Sequence, residues 1–200
     1  MTRITGIGGS VASPSTSLAA LKIAMNAARE AGAEIDIFDV REMHLPMYDP
    51  GAAIPAEVER FADSVHRCDG MIWSSPMYHG TISGAFKNAL DWLHVLGKSK
   101  PPYLTDKVIG LIATAGGTQG LQAVNTMEFI VRALRGWAVP LVIPIAKAWE
   151  VFDAEGHTSD NAVCKQLIAL GHEVTRAAAQ FARHELTTPE AARVQAAQGN

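Results

Sequence analysis

Cysteine is scarce. Cys68 and Cys164 are the only two in 200 residues, and no C-x-x-C or C-x-x-H spacing involves either. Nothing here suggests a disulfide framework or a cysteine-bound metal, and both read as free thiols of a cytoplasmic protein. Charge of one sign is also lacking: 17 basic against 20 acidic residues leave a formal net charge of -3. That balance builds no basic field for nucleic acid or an anionic membrane, so neither is expected as a partner. It equally lacks the acidity of a dedicated acidic electron carrier. Long apolar runs are missing. The stretches from Val108 to Ala115 and from Trp137 to Ala146 fall below the roughly 18 residues of a membrane span, and Pro140 and Pro144 interrupt the second. The chain passes from Met1-Thr2-Arg3 straight into an apolar run that reads as a core strand, so no signal peptide is expected.

Familiar catalytic signatures are absent as well. The seven histidines are scattered without H-E-x-x-H or a carboxylate cluster, no metal site is expected, and no G-x-S-x-G elbow presents a serine. There is no G-x-x-x-x-G-K-[ST]. Gly6 and Gly8 begin a G-x-G-x-x-G, but Val11 stands at its third glycine and would crowd helix–strand packing, which disfavours a dinucleotide held in the Rossmann manner.

What is present is a 48% hydrophobic chain, enough for one well-cored domain. Its organising stretch runs from Met71 to Leu93. Met71-Ile72-Trp73 reads as a buried parallel strand stopped by Ser74-Ser75-Pro76. A loop from Met77 to Ser83 follows. Ala85, Phe86, Ala89, Leu90 and Leu93 then recur at helical spacing, with Lys87, Asn88 and Asp91 on the other face.

Other strands are expected at Ile4–Gly8, Ile35–Phe38, Val108–Thr114 and Val139–Ala146. Helices are expected from Leu18 to Gly32, Ala56 to Arg67, Leu121 to Leu134 and Asp160 to Arg183. Strands alternating with helices imply an α/β fold, a three-layer doubly wound sheet of five parallel strands in the order 2-1-3-4-5. One domain is expected over residues 1–184. Residues 185–200 read as a polar, alanine-rich tail, a mobile end or a partner-contacting arm.

In that order the exits of the first, third and fourth strands share one rim, where open α/β sheets bind ligands. The first loop offers Ser10, Ser15, Thr16 and Ser17 ahead of a helix start, donors suited to a phosphate monoester; Ser15 or Thr16 would equally serve as an ordinary helix cap. The second, Pro76-Met77-Tyr78-His79-Gly80, offers an aromatic face and close backbone approach, as a flat heteroaromatic ring needs, though His79 by itself reads as a plain loop histidine. The third, Gly116-Gly117-Thr118, leaves backbone free to lie along a ring edge, or makes a flexible turn.

Taken together, G-S-x-x-x-x-S-T-S at Gly9–Ser17, S-P-M-Y-H-G at Ser75–Gly80, S-G-A-F-K-N-A-L-D-W at Ser83–Trp92 and A-G-G-T at Ala115–Thr118 resemble the NAD(P)H-dependent FMN reductase family. These are flavodoxin-like flavoenzymes that include quinone and azo-dye reductases. The resemblance implies that the first loop holds the FMN phosphate, the second packs along the isoalloxazine and the third meets its far edge. It further implies NADPH or NADH as hydride donor to flavin N5 and a homodimer or homotetramer. A flavin-dependent monooxygenase taking up the reduced flavin is a possible partner. A quinone or azo reductase and a non-catalytic flavodoxin-like electron carrier are the alternatives. No side chain is assigned as a general acid or base. One departure stands out: many members carry an arginine two residues after the first-loop serine, and here that place is Ala12.

Overall fold

Ile4 and Ile7 are both buried, yet in two different cores, because residues three apart on a strand point to opposite faces. The same alternation separates Met71 and Trp73 from Ile72, and Ile109 and Leu111 from Val108 and Ile112. Strands apolar on both faces need cover on both.

The computed structural model describes residues 1–187 and provides that cover. Strands β1 (Arg3–Gly8), β2 (Glu34–Asp39), β3 (Gly70–Tyr78), β5 (Val108–Thr114) and β6 (Trp137–Ile145) form a parallel sheet in the order β2-β1-β3-β5-β6. This is the expected path. A two-residue strand, β4 (Thr81–Ile82), pairs antiparallel with the end of β3. Helices α1 (Thr16–Glu30) and α6 (Asn161–Thr187) pack on one face; α2 (Ala56–Arg67), α3 (Gly84–Trp92) and α4 (Leu121–Ala133) cover the other. A one-turn helix, α5 (Ala148–Val151), follows β6.

Glycine sets two close approaches. A Cβ at Gly171 would collide with the Ala24 carbonyl and sit 2.9 Å from Ala27 Cβ, so α6 crosses α1 where only hydrogen fits. At Gly32, φ is +91° just beyond α1, the left-handed stop its position suggested.

Several expectations need correction. Ser74-Ser75-Pro76 does not end the third strand: β3 continues to Tyr78. β1 ends opposite Ser74, so beyond that point β3 has no strand neighbour on that side, and Pro76 sits where its missing N–H leaves no ladder bond unmade. His79 and Gly80, with φ of 50° and 83°, turn the chain tightly into β4, the positive-φ pair a two-residue hairpin turn requires. Asn88 is buried rather than outward; its Oδ1 accepts from Tyr48 N at 2.8 Å and its Nδ2 donates to Pro46 O at 2.9 Å. Trp92 Nε1 donates to the same carbonyl at 3.0 Å, which straps the segment after β2 onto α3. Lys87 Nζ and Asp91 Oδ1, on the exposed face of α3, form an intrahelical ion pair at 2.5 Å. The last helix runs past Arg183 to Thr187, into the stretch read as tail; residues 188–200 of that tail lie outside the described residues.

Candidate functional site

β1 stops at Gly8 while its neighbour β3 runs on to Tyr78, so the sheet's carboxyl edge steps down beside α1. Gly9 (φ +94°) turns the chain out of β1 into the serine loop. Ser15 then caps α1: its Oγ accepts from Leu18 N at 3.3 Å. Ser17 Oγ lies 3.2 Å from Ser15 Oγ. Among the described residues, the first-turn amides of Thr16 and Ser17 meet no protein acceptor. Two further bonds brace this corner. Ser74 Oγ donates to Ser17 O at 2.8 Å, and Ser75 Oγ accepts from Ser83 N at 3.1 Å at the start of α3.

The step forms a cleft of about 170 Å³. One wall carries Ser10, Ala12, Pro14, Thr16 and Ser17; a second carries Pro76, Met77 and Tyr78; a third carries Thr114, Ala115 and Gly116; Ala148 and Trp149 of α5 close the far side. Of the residues expected from sequence, Ser10, Thr16, Ser17, Pro76, Met77, Tyr78 and Gly116 meet here. Ser15 lies behind the wall as the helix cap. His79 and Gly80 form the hairpin turn, where a Cβ on Gly80 would sit 3.0 Å from Gln122 Oε1. Gly117 and Thr118 are exposed beyond the lining, and Gly117 O accepts from Lys147 N at 3.3 Å.

Thr114 and Trp149 were not anticipated. Thr114 is 2% exposed, and its Oγ1 has no hydrogen-bond partner. A buried hydroxyl without a partner carries a desolvation cost of about 1–3 kcal/mol. Thr114 is also a residue of the cleft wall, with that oxygen closed off beneath its surface. A second orphaned atom among the described residues, Trp73 Nε1, belongs to the core on the opposite face. No charged side chain is among those lining the cleft. Its chemistry is therefore hydroxyls and helix amides at one end and apolar or aromatic surface at the other, which suits a phosphate joined to a flat ring.

Hollows of about 230 and 580 Å³ lie at the opposite edge, where β3, β5 and β6 begin. The buried cation in the first of them has a structural role. Lys107 Nζ donates to His66 O at 3.0 Å and to Cys68 O at 2.5 Å, capping the carbonyl end of α2. Cys68, beside it, has its thiol pushed up by burial, with the Lys107 charge opposing, and is no poised nucleophile. Among the described residues no group of three or more His, Cys, Asp or Glu could hold a metal ion, and no helix is long and apolar enough to cross a membrane.

Known proteins share this framework. The chain is 28% identical over 145 residues to NADPH-dependent FMN reductase ArsH of Rhizobium meliloti (strain 1021), covering 72% of this chain and 59% of that protein. It is 32% identical over 116 residues to FMN-dependent NADPH-azoreductase of Staphylococcus haemolyticus (strain JCSC1435), covering 55% of this chain and 58% of that one. The match thus spans about three fifths of the length of these relatives. In fold, the chain superposes on a flavodoxin from the domain Archaea with a TM-score of 0.63 at 9% identity, over 88% of this chain and 99% of the other. The architecture is flavodoxin-like. The family model for NADPH-dependent FMN reductase matches residues 2–150, a span that takes in every lining residue from Ser10 to Trp149. With the sheet order, the stepped edge and that match in agreement, the chain belongs to the NADPH-dependent FMN reductase family.

Proposed function

We propose that this protein is an NAD(P)H-dependent FMN reductase whose flavin lies in the cleft at the carboxyl edge of β1, β3 and β5. The single observation that carries the reading is the cleft's composition: free α1 amides with Ser10, Thr16 and Ser17 at one end, Pro76–Tyr78 along the side, and the orphaned Thr114 hydroxyl in the wall. Ser10, Thr16 and Ser17 hold the phosphate with neutral donors, aided by the helix dipole. Pro76, Met77 and Tyr78 shield one side of the ring from water, and Gly116, with no side chain, lets backbone approach its edge. Thr114 Oγ1 gains the hydrogen bond it otherwise lacks. His79, Gly80, Gly117 and Thr118 shape the loops that carry these contacts, and Ser15 holds the helix start in place. The chemistry supplied by bound FMN is acceptance of a hydride at N5 from NADPH or NADH; the chain contributes orientation and a dry, uncharged wall.

With Ala12 at the loop, phosphate charge is met by dipoles alone, which favours modest affinity and a flavin that exchanges. A monooxygenase that takes up reduced FMN is the matching partner. Exposed Leu121 and Phe129, eight residues apart on one face of α4, support a homodimer or homotetramer.

The azoreductase relative favours a second reading, an FMN-bound quinone or azo reductase. Steady-state oxidation of NADPH and NADH, with and without added FMN, separates the two. Strict dependence on added FMN supports the reductase that exchanges flavin. Dye or quinone reduction by protein that stays yellow through gel filtration supports the second reading. Flavin binding without oxidation of either nucleotide would leave a non-catalytic carrier and overturn both.

A further inference from the structure

The cleft changes character along its length. Its buried lining is hydroxyls and helix amides; its exposed mouth includes two aromatic side chains, Tyr78 at the end of β3 and Trp149 on α5. Tyr78 is 47% exposed and Trp149 67%. A lone exposed tryptophan needs no explanation. What distinguishes Trp149 is its position and the rigidity beneath it.

The backbone under Trp149 is pinned on both sides. Lys147 N donates to Gly117 O at 3.3 Å and Ala148 N to Ala115 O at 3.0 Å, both in the loop that forms the third wall. Glu150 N closes onto Lys147 O at 2.7 Å, and Phe152 N onto Ala148 O at 3.1 Å. Ala148 and Phe152 are buried on either side of the tryptophan. Lys147 itself holds a left-handed backbone, φ 45° and ψ 47°, at the turn that delivers Trp149. A non-glycine residue in that region is strained, and strain of this kind concentrates where a side chain must be aimed. Lys147 Nζ is turned to Glu150, 3.5 Å away, leaving the mouth without an unpaired charge among the described residues.

We propose that Trp149 is the stacking residue for the second planar ring that must lie against the flavin, a flat, neutral, conjugated co-substrate ring: the dihydronicotinamide of the donor or the ring of a quinone acceptor. The assignment rests on the flavin reading of the cleft. Tyr78 is the other exposed aromatic residue of the lining. An indole face on a fixed support contributes offset stacking to any flat neutral ring without ordering a loop, and an uncharged mouth imposes no penalty on a neutral ring.

The test uses the full chain as wild type, Trp149→Ala and Trp149→Phe. FMN affinity is read from flavin fluorescence. Co-substrate binding to the FMN-loaded protein is read from quenching of tryptophan emission by menadione. Trp73 and Trp92 are buried and Trp137 lies at the other edge of the sheet, so the Phe variant isolates the Trp149 signal. Steady-state rates are taken with NADPH or menadione varied. Trp149→Ala is expected to raise KM for one or both by about fivefold, with Trp149→Phe within about twofold of wild type. FMN affinity is expected to change by less than about twofold, and the saturable part of the menadione quench to be lost in the Phe variant, leaving only collisional quenching of exposed Trp137. A rise confined to NADPH identifies the nicotinamide as the stacked ring; one confined to menadione identifies the acceptor. Unchanged KM for both, in protein that binds FMN normally, overturns this assignment alone. An FMN affinity that falls as much as KM rises overturns it too, by making Trp149 a flavin wall. Wild-type protein that leaves FMN fluorescence unaltered overturns the flavin reading and this assignment with it.

Discussion

Ser74 Oγ donates a 2.8 Å hydrogen bond to the carbonyl oxygen of Ser17, with both residues buried. The bond ties the middle strand of the sheet to the first turn of α1, so it fixes the amides of Thr16 and Ser17 relative to the cleft. Ser74→Ala is expected to lower stability by about 1 kcal/mol and to weaken FMN binding several-fold through looser placement of α1. Urea unfolding and an FMN titration on the same preparation check both; a stability loss with unchanged affinity would show that the helix start needs no brace.

Thr114 gives a prediction with opposite signs. Thr114→Val keeps the shape and removes an orphaned buried hydroxyl, so the flavin-free protein should melt at the same temperature or higher. FMN affinity should fall by about tenfold, the size of one hydrogen bond to a ligand. A higher melting temperature with full affinity would remove Thr114 from the site.

Ala12 lies in the cleft wall, which carries no charged side chain. Ala12→Arg is expected to tighten FMN binding by about tenfold and to make it weaken with added salt, as a partly exposed charge-assisted contact does. Titrations at low and high ionic strength test this; affinity that ignores both the arginine and the salt would place the phosphate elsewhere.

Much of this site was legible in sequence because its parts are local. Ser10 to Ser17 read as a hydroxyl-rich helix start, and Tyr78 as an aromatic in the loop leaving a strand, without knowledge of any distant contact. The Ala56–Arg67 helix was set by local sequence too, and its Val58, Phe61 and Val65 form the buried stripe. The misread pieces depend on neighbours. Pro76 looked like a strand stop because the early end of β1, which makes a proline harmless there, is a tertiary fact. Asn88 looked outward until the Pro46–Tyr48 segment folded over it. Thr114 passed as the last residue of a strand, since an unpaired hydroxyl shows only when its surroundings are known. Trp149 stood in a stretch too short to announce a helix, held by bonds to Ala115 and Gly117 across the edge of the sheet.

Gly116 and Gly117 separate site from scaffold. A Cβ at either meets nothing within 4 Å, so valine at each should leave the fold intact. Gly116 lines the cleft and Gly117 does not, so Gly116→Val should reduce FMN binding by more than about tenfold and Gly117→Val by less. Gly171→Val, at the α1–α6 crossing, should instead unfold the protein. Circular dichroism beside FMN titration distinguishes the three; equal loss of binding at 116 and 117 would contradict the wall described here.

The most direct measurement is a paired titration of the purified chain with FMN and with riboflavin, followed by flavin fluorescence. Recognition of phosphate by the α1 amides and by Ser10, Thr16 and Ser17 predicts quenching by FMN and affinity for riboflavin lower by at least about tenfold. Equal affinity for the two, or no quenching by either, would contradict a phosphate seat at the head of α1.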